Sequence, residues 1–131
     1  MILITGGMGF IGMHTTRAFL DAGESVVVTQ HSARREPEIF KEEIEKRVII
    51  EQVDVARGSE LLDVVLKNKV TGIVHLAVPR RGVYPAREDY RTNMLGLLNV
   101  LEAARLSDVK RVTLASSTAV YSSLDEGPYR E

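Results

Sequence analysis

The stretch "TGGMGFIG", Thr5–Gly12, places three glycines in one turn and a fourth just beyond it. The apolar segment Ile2–Thr5 precedes the turn and is predicted to form a short buried strand. Phe10–Gly23 follows with a helical pattern, and its last glycine is typical of the position just past a helix end. Between this strand and helix, the spacing G-x-G-x-x-G is met by Gly7, Gly9 and Gly12.

Each glycine of this spacing has a physical role when a strand precedes it and a helix follows. Gly7 permits a tight turn with unusual backbone angles. Gly9 has no side chain, so a pyrophosphate can approach the backbone, and Gly12 lets the helix pack closely on the strand. The helix N-terminus then offers N–H groups to the phosphates. A glycine-rich turn without a ligand is the alternative interpretation, whereas the missing G-K-[ST] excludes a P-loop.

Apolar segments alternate with helical patterns along the rest of the chain. Four further strands are predicted over Ser25–Thr29, Arg47–Val53, Thr71–Ala77 and Lys110–Ser117. Helices are predicted over Glu36–Arg47, from a Ser59 cap to about Asn68, and from about Glu88 to Leu106. Five apolar strands separated by helices predict a doubly wound parallel sheet, the Rossmann-like α/β class, in one domain over residues 1–131.

Composition narrows the function classes. The 131 residues are 44% hydrophobic and 27% charged with a net charge of −1, which argues against non-specific binding to nucleic acid or membranes. Cysteine is absent and the three histidines are scattered, so no metal site is predicted. The N-terminus lacks the pattern of a signal peptide, and no apolar run could span a bilayer, so a cytoplasmic location is expected.

Five segments, in order, resemble the extended short-chain dehydrogenase/reductase family, the nucleotide-sugar epimerases and dehydratases. They are "TGGMGFIG" (Thr5–Gly12), "VDV" (Val53–Val55), "HLA" (His75–Ala77), "NMLGLLNVLEAAR" (Asn93–Arg105) and "ASSTAVY" (Ala115–Tyr121). The resemblance implies an NAD(P) cofactor held by Gly6, Gly7, Gly9, Phe10, Ile11, Gly12, Asp54, Val55, Leu76, Ala77 and Asn93. Gln30 and Arg34 are added to this set because of their position at and after the end of the second strand.

The resemblance also implies particular roles within this set. Asp54 would accept a hydrogen bond from the adenine amino group, and Ser117 would be the catalytic hydroxyl. Simpler interpretations stay open: Asp54 could cap a turn, Ser117 could cap loop backbone, and Asn93 could be exposed. His75, at the end of a buried strand, is interpreted as a core histidine rather than a base.

The second strand departs from the pattern of NAD-binding folds. An acidic residue usually ends this strand and holds the ribose 2′-hydroxyl, but Gln30 stands there. Arg34 and Arg35 follow, and an arginine near this point can accommodate a 2′-phosphate. The sequence therefore predicts that NADP binds at least as well as NAD, unless these arginines are merely solvated loop charges.

The family's general acid/base is a tyrosine in Y-x-x-x-K. Neither Tyr121 nor Tyr129 has a lysine four residues later, and no lysine follows Lys110. The fifth strand would also be a sheet edge, which proteins usually cover. The chain is therefore expected to be the N-terminal portion of an enzyme about twice as long, and inactive alone. The helix after Asn93 carries an apolar stripe that is interpreted first as facing the core, although part of it could face a partner subunit. Because the family's dimers commonly form through this helix, the resemblance implies a homodimer.

Three functions are compatible with these observations. The first is an NAD(P)-dependent epimerase or dehydratase that transiently oxidises a nucleotide sugar or related alcohol. The second is an NADPH-dependent carbonyl reductase. The third is a non-catalytic NAD(P)-binding sensor or scaffold, which Gln30 and the departures at Val78–Pro79 and Ser122 keep open. A methyl-donor-binding protein would fit the glycines but not the "SSTAVY" segment.

Overall fold

Five parallel strands form one sheet in the computed structural model, which describes residues 1–31, 36–79, 82–83 and 85–121. The spatial order β3-β2-β1-β4-β5 confirms the predicted doubly wound class. The central strand β1 has the bounds that the sequence predicted, and the others differ by one to three residues at their ends. The strands are β1 Ile2–Thr5, β2 Val26–Gln30, β3 Val48–Gln52, β4 Gly72–His75 and β5 Arg111–Leu114.

Helical segments lie between each pair of consecutive strands. Helix α1 begins directly at the glycine turn and ends before Gly23, whose φ of +86° fits the left-handed residue that commonly follows a helix. The α-helices are α1 Phe10–Asp21, α2 Gly58–Lys67, α3 Ala86–Tyr90 and α4 Gly96–Arg105. No helix in the described part of the chain is long and apolar enough to cross a membrane.

Each face of the sheet is buried against different helices. Consecutive residues of a strand point to opposite faces, so Leu3 and Ile4 of β1 enter two separate clusters. The first cluster lies under α2 and α4 and contains Leu3, Val27, Val53, Leu61, Val64, Val65, Val70, Ile73, Val100 and Ala103. The second lies under α1 and contains Ile4, Leu20, Val26, Val28, Phe40 and Val48.

The helix predicted over Glu36–Arg47 is wrong in type and length. The structure has a short 3₁₀ segment at Glu38–Glu43, interrupted at Phe40, whose φ of −142° is not helical. Phe40 is only 1% exposed, because its ring fills the cluster under α1. The packing of this ring in the core interrupts the helix, because tertiary packing overrides the weak helix propensity of the segment.

Two helix starts also differ from the predictions. Ser59 is not the cap of α2, because the helix already begins at Gly58 and Arg57 occupies the cap position without a side-chain hydrogen bond. The long helix predicted from Glu88 begins at Ala86, after Pro85. It then passes through a π-helical segment, Arg91–Leu95, before continuing as α4. Such π-turns are rare and often lie at functional sites.

Candidate functional site

The loops that follow β1, β2, β3 and β4 meet at one edge of the sheet. They enclose a cleft of about 510 Å³, at the point where the strand order reverses between β1 and β4. Ligands of open α/β sheets bind at this switch point, outside the carboxyl ends of the strands. Seven of the residues predicted to bind the cofactor line the cleft: Gly6, Gly9, Gln30, Asp54, Val55, Leu76 and Ala77.

The glycine turn is built differently from the prediction in one respect. The unusual backbone angles belong to Gly6, with a φ of +67°, and not to Gly7. A Cβ on Gly6 would lie 2.8 Å from the Ala77 nitrogen, so the loop after β4 leaves no room for a side chain. Gly7 is glycine for another reason, because a Cβ there would collide with the Val28 side chain. The sequence pattern cannot separate these two neighbours, since both lie in the same turn.

Gly12 has the packing role that its spacing predicted, and the predicted approach of a pyrophosphate to Gly9 stays a prediction. Gly9 is the cap residue of α1, lines the cleft, and donates its N–H to the Gly6 carbonyl at 3.0 Å. A Cβ on Gly12 would lie 2.5 Å from the Gly7 Cα, so glycine is required for the helix to approach the turn. The first turn of α1 carries no acidic side chain and no side-chain cap. Its amide groups and helix dipole therefore suit an anion such as a pyrophosphate.

A buried hydrogen-bond network joins β1 to β4 beneath the cleft. The Thr5 hydroxyl oxygen lies 3.2 Å from the Leu76 amide and 3.3 Å from the Ala77 amide, and accepts from both. Its own proton therefore goes to His75 Nδ1, which lies at 2.7 Å. This arrangement requires a neutral imidazole protonated at Nε2. Burial lowers the pKa of His75, which favours the same neutral form.

Asp54 follows β3 and faces the cleft with its side chain 15% exposed. Its Oδ1 accepts from the Ala56 amide at 3.0 Å, the turn-capping contact that the sequence left open. Its Oδ2 accepts from Arg91 Nη2 at 2.9 Å. Burial raises the pKa of the Asp54 carboxyl, but these two hydrogen bonds and nearby positive charge together hold it below its ordinary value. Asp54 is therefore ionised at neutral pH and can accept from an amine.

Several predicted residues lie away from the cleft lining. Phe10 and Ile11 are 77% and 64% exposed on the first turn of α1. Asn93 is exposed on the π-helical segment, as the simpler interpretation had it. Arg34 lies outside the described residues, so its predicted role near a 2′-phosphate stays a prediction.

Gln30, by contrast, ends β2, lines the cleft and is 8% exposed.

Ser117, the predicted catalytic hydroxyl, lies in the exposed loop after β5. Its Oγ accepts from the Ala119 amide at 3.1 Å, so its local contact is a cap of loop backbone. It does not line the cleft, although it lies beyond the carboxyl end of the strand next to β4. Tyr121 ends the following 3₁₀ turn, and Tyr129 lies outside the described residues.

Two site residues were missed by the sequence interpretation. Arg91 lines the cleft and pairs with Asp54, although 37 residues separate them in the chain. Asn99 donates from Nδ2 to the Val55 carbonyl at 2.9 Å and so fixes the loop after β3 to α4. The available signal for Asn99 was its place in the N-x-x-G-x-x-N pattern, three residues beyond Gly96. Within the described residues, no cluster of side chains could hold a metal ion.

A doubly wound sheet, a glycine turn at its switch point and an ionised aspartate after β3 define a dinucleotide-binding α/β domain. The profile of the NAD dependent epimerase/dehydratase family matches residues 2–131. The chain belongs to this family, and the resemblance expected from the five segments is confirmed.

Curated relatives include a UDP-glucose 4-epimerase of Azospirillum brasilense, 34% identical over 136 residues, and one of Mus musculus, 30% identical over 132. The alignments cover 99% and 92% of this chain but 37% and 38% of those proteins. Among solved structures, the UDP-glucose 4-epimerase of Bifidobacterium longum in complex with NAD+ and UDP has a TM-score of 0.85 at 28% identity. It is matched over 99% of this chain and 41% of its own. The Bordetella bronchiseptica enzyme WbmG in complex with NAD has a TM-score of 0.80, also at 28% identity.

Proposed function

We propose that this chain is the NAD(P)-binding portion of a nucleotide-sugar epimerase or a closely related dehydratase. The observation that carries the proposal is the cleft at the β1–β4 switch point, where glycines exclude side chains from the phosphate path. Gly9 lines this cleft at the start of α1, and a Cβ there would lie 3.2 Å from the Gly6 carbonyl oxygen, so the turn has little room for a side chain. The residues present therefore fit a dinucleotide.

Different residues of the chain would bind different parts of the cofactor. The first turn of α1 and Gly9 would hold the pyrophosphate, and Asp54 would accept from the adenine amino group. Leu76 and Ala77 form the cleft wall that Thr5 and His75 fix in place. When bound, the cofactor supplies reversible hydride transfer at a secondary alcohol carbon of the substrate. Ser117 would donate a hydrogen bond to the reacting oxygen, because its loop contact uses only an acceptor position of the hydroxyl and leaves the proton available.

Turnover requires a proton acceptor for that alcohol. A tyrosine titrates near ~10 and needs a neighbouring cation to act near neutral pH. No tyrosine of this sequence is followed by lysine at the fourth position. We therefore expect this chain to bind the cofactor without catalysing turnover, and assign the activity to a protein that also contains the tyrosine and lysine.

The proposal also includes a preference between NADP and NAD. Gln30 places a neutral amide where NAD-specific folds have a carboxylate, so nothing at this residue would repel a 2′-phosphate. We expect NADP to bind at least as tightly as NAD. Calorimetric titration of the chain with each cofactor tests this, and clearly tighter binding of NAD would contradict it.

The experiment for the proposed activity uses a protein that contains this chain together with a Y-x-x-x-K segment. Interconversion of UDP-glucose and UDP-galactose with only catalytic NAD(P) would support the epimerase. Stoichiometric consumption of NADPH with a carbonyl substrate would favour the reductase alternative. Tight cofactor binding without turnover of either kind would favour the sensor or scaffold.

A homodimer is the remaining part of the proposal. Met94, Leu98 and Leu101 are 42%, 57% and 44% exposed and recur at helical spacing on the π segment and α4. Spacings of four and three residues place them on one face of the helix. This apolar face is the surface through which we expect two copies to associate.

A further inference from the structure

We infer that Arg91 is a positioning residue that orients Asp54 for recognition of the adenine amino group. The inference rests on the proposed function and adds a residue that the sequence motifs did not include. It also gives the π-helical segment a function. Arg91 is the first residue of that segment, directly beside the cleft.

The geometry links two elements across the cleft. Asp54 comes from the loop after β3, and Arg91 comes from the helical segment that follows α3. The Arg91 Nη2 to Asp54 Oδ2 distance is 2.9 Å, and the Arg91 side chain is 36% exposed against 15% for Asp54. The other end of the guanidinium lies 3.7 Å from Glu88 Oε2. Arg91 is thus held between two carboxylates, and only Asp54 is largely buried.

The two oxygens of Asp54 are fixed by different partners. The Ala56 amide binds Oδ1, and Arg91 binds Oδ2. An ionised carboxylate offers about four acceptor positions, so two hydrogen bonds leave capacity for an amine from a ligand. The two hydrogen bonds therefore orient the carboxylate and leave acceptor positions available for a ligand. A charged acceptor held in this way forms a stronger hydrogen bond to adenine than a neutral one.

The charges around Asp54 explain why Arg91 matters. Arg57 Nε lies 3.9 Å from Asp54 Oδ2, and Glu60 accepts the backbone N–H of Asp54 at 3.2 Å. His31, beyond β2, adds a weaker positive contribution that lowers the pKa of Asp54. Arg57 is itself paired with Glu60 at 2.9 Å, so its charge is partly neutralised. Arg91 is the cation that forms a direct hydrogen bond to the Asp54 carboxylate among the residues described.

Removal of Arg91 should act in two ways. Without the hydrogen bond and positive charge of Arg91, less would offset the rise in the pKa of Asp54 that burial causes. The carboxylate would then protonate at a higher pH. The side chain would also be free to leave the orientation that adenine requires. Both effects predict weaker binding of adenine-containing ligands, and the first predicts that the weakening grows as the pH falls.

The test compares the wild-type chain with Arg91→Gln, Arg91→Lys and the control Arg105→Gln, an exposed residue paired with Glu102 on α4. Each protein is titrated with NAD and with nicotinamide hypoxanthine dinucleotide, which lacks the exocyclic amine, from pH 8 down to the lowest pH at which thermal unfolding shows the chain to be folded, because the ordinary carboxyl pKa of ~3.9 lies at the acid end. We expect Arg91→Gln to weaken NAD binding by about tenfold, to narrow the preference for NAD over the hypoxanthine analogue, and to move the acid limb of binding to higher pH. Arg91→Lys should restore part of the affinity, and Arg105→Gln should resemble wild type.

Three results would overturn the inference. One is equal NAD affinity and pH dependence in wild type and Arg91→Gln, which would leave the proposed function intact. Another is an equal loss for both dinucleotides, which would make Arg91 a contact to phosphate or ribose. The third is a wild-type chain that binds no dinucleotide at all, which would overturn the proposed function as well. Thermal unfolding of each variant identifies misfolding, and if Arg91→Gln fails to fold, Arg91→Lys carries the comparison of pH profiles.

Discussion

Thr5 and His75 illustrate how single residues define the cleft. Thr5 is fully buried and His75 is 9% exposed, yet both are polar. Their hydrogen bonds offset the cost of burying both side chains, because the Thr5 hydroxyl accepts from two amide N–H groups and donates to the His75 imidazole. A buried hydroxyl without such partners would be costly. The bond therefore fixes the backbone at Leu76 and Ala77, which form one wall of the cleft.

The neutral state of His75 leads to a pH prediction. Its pKa is lowered in the folded chain, so below the unfolded value of ~6.5 the unfolded state binds more protons. The stability that depends on neutral His75 is thus fully present above ~6.5 and is lost as the pH falls from there through the folded pKa. Urea unfolding of His75→Asn, which keeps an acceptor near Nδ1 but cannot titrate, should show a shallower loss of stability between pH 7 and 5. His14→Asn, on the exposed face of α1, is the control, and an unchanged slope in His75→Asn would contradict the prediction.

Particular residues show how much of the site could be predicted from sequence. The glycine turn was predicted from its spacing between a strand and a helix, whereas Asp54, Leu76 and Ala77 were predicted from the family resemblance of their segments. The positive φ at Gly6 was assigned to Gly7, since which glycine adopts it depends on contacts with Ala77 and Val28. Arg91 was missed because its ion pair with Asp54 arises only when α3 folds across the loop after β3.

At the scale of elements, α4 holds the loop after β3 in place. Gly96 lies against Val55, where a Cβ would be 2.9 Å from the Val55 Cγ2. One turn later, Asn99 binds the Val55 carbonyl. These contacts explain why a helix far along the chain determines the position of Asp54. The segment Glu36–Arg47 packs on the opposite face of the sheet, so its lack of a regular helix does not change the position of Asp54.

The Asn99 contact predicts a difference between two asparagines of the same helical segment. Asn99→Ala leaves the Val55 carbonyl without this donor and should lower the free energy of unfolding by about 1–2 kcal/mol. Asn93→Ala, at an exposed position, should change it by less than about 0.5 kcal/mol. Chemical denaturation of both variants measures the difference. Equal stability of the two variants would show that the Asn99 bond does not anchor the loop.

At the scale of the whole molecule, the β5 edge of the sheet is much more exposed than its interior. Strand β5 is largely exposed, with Leu114 44% accessible, whereas the interior strand β2 is buried throughout. The apolar face of α4 is exposed as well, and exposed apolar surface commonly marks an interface. The fold class was predicted from the sequence, but this exposed surface depends on which residues pack against it.

Association through α4 is tested by the mass of the particle in solution. The wild-type chain should sediment as a dimer, twice the 14.5 kDa of the monomer, at micromolar concentration. Leu98→Glu places a charge in the apolar face and should shift the protein to monomers with little loss of stability, because Leu98 is 57% exposed. Leu66→Glu, at a 54% exposed position of α2, is the matched control. A monomeric wild-type chain, or dimers of Leu98→Glu, would contradict the proposed interface.

Binding of a dinucleotide in the β1–β4 cleft is the central claim, and calorimetric titration of the wild-type chain and Gly9→Val with NAD and NADP tests it most directly. Gly9 has a φ of −78° in the extended region, which valine can also adopt, and thermal unfolding checks that the variant folds despite the 3.2 Å approach of its Cβ to the Gly6 carbonyl oxygen. Its side chain would fill the phosphate path. We expect one dinucleotide per wild-type chain and at least tenfold weaker binding by Gly9→Val, since a steric block of one key contact exceeds ~1.4 kcal/mol. A folded wild-type chain that binds neither cofactor at millimolar concentration, or a Gly9→Val variant that binds as tightly as wild type, would contradict the claim.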